Sequence, residues 1–106
     1  MTASFTGRKG FDLRYDIPFE ADVIVGGNSD VVEMRISDNH ISRRHFRLRK
    51  ETDVYYISDL DSTNGTSVNG KKLAPGEERI LRNEDIVTLA DGKVELVFSE
   101  PPHTID

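Results

Sequence analysis

Asn-Gly occurs twice within seven residues, at Asn64-Gly65 and Asn69-Gly70, in the stretch DLDSTNGTSVNG that fills positions 59–70. A type I′ turn needs positive φ at both central residues, which makes Asn-Gly the strongest short signal for a chain reversal. Only Thr66-Ser67-Val68 lies between the two pairs. Two reversals that close cannot both join full-length strands. Hydroxyl side chains also crowd the first of them, at Ser62, Thr63 and Thr66.

Elsewhere the chain reads as short runs of period-two alternation divided by turn residues, with little helical periodicity. Phe11, Leu13 and Tyr15 alternate, as do Val23 and Val25, then Val32, Met34 and Ile36. Phe46 and Leu48, Tyr55 and Ile57, Ile86, Thr88 and Ala90, and finally Val94, Leu96 and Phe98 continue the pattern. Charged or polar residues fill many of the places between, as in sheets with one dry and one wet face. Gly26-Gly27-Asn28, Ser37-Asp38-Asn39, residues 50–53, Pro75-Gly76 and Asp91-Gly92 supply the breaks. Roughly ten short strands at such spacing predict an all-β sandwich or barrel.

A chain of 106 residues fits one domain. Its 36% hydrophobic and 31% charged content suits a small core under a polar surface. No apolar run approaches the roughly 18 residues of a membrane-spanning helix, and MTASFTGRKG at the N-terminus lacks a signal-peptide core. Cysteine is absent, which excludes disulfides and thiolate metal sites and fits an intracellular setting. A net charge of −5 argues against a general nucleic-acid binder. Arg43, Arg44, Arg47, Arg49 and Lys50 nevertheless fall within eight positions. They form either a solvated strand face or a local anion site, and composition does not choose between these.

Catalytic signals are weak. Ser42, His45 and Asp59 make a triad on paper, yet no G-x-S-x-G elbow accompanies them. The segment from Asp59 superficially resembles an EF-hand loop. Its sixth and twelfth positions are Asn64 and Gly70, where that loop needs Gly and Glu. What the turns do offer is hydroxyls, amides and N–H groups beside arginine. That mixture can bind a phosphate or a peptide backbone.

The string ISRRH at 41–45, followed by ISDLDSTNGTSVNG at 57–70, resembles the forkhead-associated (FHA) domain family. That family's signature combines an early Gly-Arg, an S-x-x-H, and a D-L-x-S-x-N-G-T-x-V-N-G block. Residues 81–89, LRNEDIVTL, look like its L-x-x-G-D-x-I run with Asn83-Glu84 in the Gly neighbourhood, so the resemblance covers about residues 11 to 98. It implies a β-sandwich of about eleven short, mostly antiparallel strands over residues 1–100, with binding loops at one end. Residues 101–106 are then a flexible tail or the start of a linker.

The resemblance further implies a non-catalytic module that recognises phosphothreonine peptides, without cofactor or metal and with no direct contact to nucleic acid or membrane. It also implies one part of a larger multidomain protein, cytoplasmic or nuclear. By matching position, Ser42 and Thr63 donate hydroxyls to the phosphate, Arg43 flanks the peptide and Asn64 grips its main chain. Gly27, His45 and Gly65 shape the loops. The family reads the third residue beyond the phosphothreonine with loops that hold Asp38, Asn39, His40 and residues 68–72 here. One position departs from the pattern. Counting back from Glu33 sets Gly27 at the family's Gly and Asn28 at its phosphate-binding Arg, whereas a loop one residue longer sets Gly26 and Gly27 there. Neither count supplies an arginine. Either a substitute cation serves (Arg44, Arg35, Arg43 or the Arg8-Lys9 pair), or the sandwich binds a protein partner independently of phosphate.

Overall fold

The computed structural model describes residues 3–10, 13–18, 21–28 and 30–101. Within them the alternating runs form eleven strands: β1 Ser4–Lys9, β2 Arg14–Asp16, β3 Asp22–Gly26, β4 Met34–Arg35, β5 Phe46–Glu51, β6 Val54–Asp59, β7 Thr66–Val68, β8 Lys71–Lys72, β9 Glu78–Leu81, β10 Ile86–Leu89 and β11 Val94–Ser99. A 3-10 turn, Ala90–Gly92, joins the last two. One sheet has the order β2-β1-β11-β10-β7-β8 and the other β4-β3-β5-β6-β9. Every pairing is antiparallel except β3 with β4. This is the expected all-β sandwich.

Burial follows the alternation. Val23 and Val25, Phe46 and Leu48, Tyr55 and Ile57, and Val94, Leu96 and Phe98 all point into the space between the sheets. The aromatic rings tie the two layers together. Phe5 and Phe98, paired across β1 and β11, meet Phe46 and Tyr55 from the opposite sheet at centroid distances of 5.7 and 5.1 Å. Edge-to-face geometry of this kind adds to the burial of large apolar area.

One alternation read from sequence has the wrong phase, and a second, in which Tyr15 does pack against the core, fails at Leu13. In β10 the buried residues are Val87 and Leu89, while Ile86 and Thr88 lie on the outer face. Pairing of Val87 with Leu96 and Val68 sets that register. Ala90 is buried because the chain swings into a left-handed turn there, with φ of 56°. Leu13 is 68% exposed, since β2 begins only at Arg14; Phe11 lies outside the described residues.

The register also gathers the loops. Val25 and Asp59 both lie opposite Phe46, so the segments after β3, before β5 and after β6 meet at one end of the sandwich. Leu89 pairs with Thr66 and Val94, which brings the β6–β7 and β10–β11 connections to the same end. Ser4 pairs with Ser99 near the Tyr55 ring, so the chain enters and leaves at the far end. Truncating Phe98 to alanine removes the ring shared by both sheets and lowers stability by about 3–5 kcal/mol, to be read as a shift in the urea midpoint with little change in m.

Candidate functional site

The loop end is built around a buried imidazole. His45 is 0% exposed. Its Nδ1 accepts a hydrogen bond from the Ser42 N–H at 3.1 Å, and its Nε2 donates to the Gly65 carbonyl at 2.8 Å. These partners assign the neutral ring with its proton on Nε2. Burial lowers the pKa of His45 below the ordinary value of 6.5, against the opposing pull of the Gly65 carbonyl and the Asp59 carboxylate. Both ring nitrogens are occupied, so His45 is a tie between loops and no part of a Ser-His-Asp triad.

A carboxylate braces the second loop. Asp59 accepts from the Ser62 N–H and hydroxyl at 2.9 and 2.5 Å and from the Thr66 hydroxyl at 2.6 Å, and the Ser62 Oγ in turn accepts from the Gly65 N–H at 3.0 Å. Burial pushes the Asp59 pKa up, but the bonds from Ser62 and Thr66 outweigh it, and the net shift is below the usual carboxylate value. Asp61, with φ of 57°, and Gly65, with φ of 85°, carry the chain from one sheet to the other. Asn64-Gly65 is therefore a crossing between layers. Asn69-Gly70, with φ of 50° and 82°, is the ordinary two-residue hairpin between β7 and β8.

The structure brings most of the sequence-named residues into direct contact. The Ser42 Oγ accepts from the Thr63 N–H at 3.0 Å, and the Asn64 amide donates to the His40 carbonyl at 3.0 Å. The β3 backbone continues past its last residue: Gly27 N–H donates to Ser42 O at 2.9 Å and Asn28 N–H to Arg43 O at 3.3 Å. Arg35, at the end of β4, donates through Nε to the Gly27 carbonyl at 3.2 Å. The Asn28 side chain turns inward on its own loop and accepts from the Asp30 N–H at 2.9 Å.

The basic cluster divides in two. Arg47 makes a bidentate pair with Asp22 at 2.7 and 2.8 Å, and Arg49 another with Glu78 at 2.6 and 2.8 Å. Arg49 also stacks 4.4 Å from the Tyr56 ring centre, and Lys50 lies 5.5 Å from that of Tyr55. These are features of a strand face. Arg43 and Arg44 sit on the loop, exposed, and make no side-chain hydrogen bond or ion pair among the described residues. Arg8, at the end of β1, is engaged with Glu95 at 3.4 Å.

Sequence comparison agrees with this geometry. The FHA domain family model matches residues 23–90. The chain belongs to the FHA domain family. Such a domain is a non-catalytic, protein-interaction module, and the family binds phosphothreonine peptides. The FHA domain-containing protein FhaA of Mycobacterium tuberculosis is 36% identical over 75 residues, which cover 71% of this chain and 14% of that protein. The FhaA FHA domain complexed with the intracellular domain of Rv3910 is 30% identical, with a TM-score of 0.78 over 92% of this chain and 99% of that one. The N-terminal FHA domain of S. cerevisiae Rad53p, solved with a phosphothreonine peptide, shares the fold at a TM-score of 0.84 and 19% identity, covering 95% and 94% of the two chains. No helix among the described residues is long and apolar enough to cross a membrane.

The Asp59–Ser62 brace was missed as a unit in sequence. Its signal is an acid followed three residues later by Ser, a spacing at which a side chain caps nearby N–H groups. Acid should loosen this FHA domain in two stages. His45 binds its proton less readily when folded, so stability is complete above pH 6.5 and falls as pH drops below it. Asp59 is held ionised when folded, so its contribution is present above 3.8 and is lost as pH falls through its lower folded pKa. Urea midpoints from pH 7.5 to 3 should show both losses, each at most about 1.4 kcal/mol per pH unit. His45→Asn should be less stable at pH 7.5 and flatter between pH 7 and 5.

Proposed function

We propose that this FHA domain recognises phosphothreonine peptides, with Arg35 supplying the cation that the family's Arg supplies elsewhere. The observation that carries the reading is the Ser42–Thr63 contact. The Ser42 Oγ uses an acceptor site on the Thr63 N–H, which leaves its own proton to donate. The exposed Thr63 hydroxyl has no partner among the described residues. Two donors thus face solvent where three loops meet, and the Asn64 amide oxygen, which has no partner among the described residues, stands beside them for a peptide N–H.

The vacant arginine position is better placed at Gly27 than at Asn28. A Cβ on Gly26 would fall 2.1 Å from the Arg43 carbonyl oxygen, so Gly26 fills the role that only glycine can. A Cβ on Gly27 would lie 3.2 Å from its nearest neighbour, the Ile41 carbonyl oxygen. Arg35 anchors one N–H on the Gly27 carbonyl and keeps both terminal nitrogens for a bidentate contact with phosphate. The competing reading, a partner bound independently of phosphate, draws on the same vacancy.

Titration of phosphothreonine peptides against their unphosphorylated twins separates the two. The phosphorylated member should bind at least tenfold tighter, and equal affinities would leave only the phosphate-independent reading. Arg35→Ala should weaken phosphopeptide binding by roughly ten- to a hundredfold, as expected for one charge-assisted contact. Gly27→Arg should strengthen it. A gain from Asn28→Arg with none from Gly27→Arg would restore the other count.

A further inference from the structure

Among the described residues each sheet ends in two strands with an unpaired outer edge, β2 and β8 in one and β4 and β9 in the other. An open edge offers main-chain N–H and C=O groups to any extended chain, and proteins blunt it by shortening, charging or covering the strand. Three of these edges are blunted. β4 is two residues long, and β2 is three, with exposed charges at Arg14 and Asp16. β8 is capped, because the Arg79 guanidinium donates to the Lys71 and Lys72 carbonyls at 2.7 and 3.3 Å. β9, Glu78–Leu81, is the longest of the four. It bears Ile80, which is 38% exposed and is the one large exposed apolar residue that lies in a strand among the described residues.

The register shows which groups of β9 face outward. Successive residues of an antiparallel strand turn their main-chain groups to opposite neighbours. The Lys50 N–H donates to the Ala21 carbonyl on the β3 side at 2.9 Å, so Arg49 faces β6. Arg49 pairs with Tyr56, which leaves Tyr55 and Ile57 facing β9, where they meet Leu81 and Arg79. Glu78 and Ile80 therefore turn their N–H and C=O groups away from the sheet. No main-chain bond ties either residue to a segment other than β6 among the described residues. Arg82 ends the edge, since its N–H donates to the Asp85 carboxylate at 2.8 Å and its C=O accepts from the Asp85 N–H at 3.0 Å.

This edge is complementary to itself. Turned about a two-fold axis at Ile80, an antiparallel copy sets Ile80 opposite Ile80 and Glu78 opposite Arg82 twice over. Arg82 is exposed and its side chain has no partner among the described residues. The Glu78 side chain is 37% exposed, and each of its oxygens, bonded to Arg49, keeps acceptor capacity. The two Ile80 residues exchange a pair of N–H···O=C bonds, and opposite charges across such a ladder are favourable neighbours. So short a ladder buries far less than the roughly 800 Å² per partner of a stable complex, and the association is weak.

We propose that β9 is a self-association edge, on which a second copy of this chain docks antiparallel about Ile80. Two five-stranded sheets then become one of ten. Ser58, opposite Glu78, leads into the binding loops, so antiparallel docking turns the two loop ends in opposite directions. Such a pair links two separate ligands rather than gripping one twice. The proposal stands apart from the phosphothreonine reading.

Sedimentation equilibrium of the whole chain from about 10 μM to 1 mM, the range suited to so small an interface, tests it. The average mass should climb from one chain toward two, and less steeply in high salt. Ile80→Pro deletes an outward N–H and none of the bonds to β6, and Ile80→Lys sets like charges opposite one another. Both should stay single at every concentration, with urea midpoints near that of the unaltered protein; Ile80→Lys decides if the proline variant unfolds. Arg82→Glu, which opposes Glu78 with a second acid, should weaken association roughly two- to fivefold. Exchange of the Ile80 N–H with solvent should slow as concentration rises, while that of the Arg79 N–H, which faces β6, should not change. A mass of one chain throughout overturns the second copy as the occupant of this edge. Association that survives both Ile80 variants places the contact elsewhere and overturns the proposal, and association indifferent to Arg82→Glu overturns the pairing about Ile80.

Discussion

The loop end depends on one buried imidazole. His45 receives the Ser42 N–H on one nitrogen and gives its proton to the Gly65 carbonyl with the other, so two connections from different stretches of chain share a single ring. The same Gly65 carbonyl also accepts from the Ala90 N–H at 3.3 Å, which draws in the β10–β11 turn. Protonation would place an N–H on Nδ1 against the Ser42 N–H, two donors facing one another. Burial that keeps the ring neutral is therefore the condition for the loops to hold their relative positions. An unpaired charge at that depth is costly, and the pull of the Asp59 carboxylate offsets only part of that cost.

From that tie the rest of the end follows. With Ser42 held, its hydroxyl meets the Thr63 N–H. With Gly65 held, the Asp59–Ser62 brace can set the turn before it. The β3 extension then pins the segment from Ser42 to Arg43 from the other side. None of these bonds buries much apolar area, and their net contribution to stability is about 1 kcal/mol each. Their importance is geometric: they hold polar groups at fixed positions before a ligand arrives, which lowers the cost of binding.

Sequence revealed the sandwich and the membership of the loops, because both are written in local pattern. Period-two burial is local, and Asn69-Gly70 names its own turn type. Where a strand is short the pattern loses its phase. The four residues of β10 carry apolar or β-branched side chains on both faces, and only pairing with Leu96 and Val68 decides that Val87 points inward. Counting residues could not choose between Gly26 and Gly27 either. The choice turns on the 2.1 Å approach to the Arg43 carbonyl, a contact between segments far apart in the chain. Arginines within eight positions look alike in sequence, yet β5 places Arg47 and Arg49 beside acids from β3 and β9, while Arg43 and Arg44 precede the strand.

A structural loop and a binding loop use the same residue types, and what separates them is the polar capacity left over. Asn69 spends its whole amide within the fold: the nitrogen donates to Asp85 and the oxygen accepts from the Ile86 N–H, each at 2.9 Å. Ser62 and Thr66 are likewise consumed by Asp59. Ser42, Thr63, Asn64 and Arg35 are not. Each of these side chains makes at most one interaction among the described residues and retains at least one further donor or acceptor. These groups come from β4 and from both tied loops, so chance exposure along one loop does not explain them. A ligand that satisfied all of them at once would need a dianion for the hydroxyls and guanidinium, with a backbone N–H at a fixed distance from it. A phosphothreonine in an extended peptide has that form.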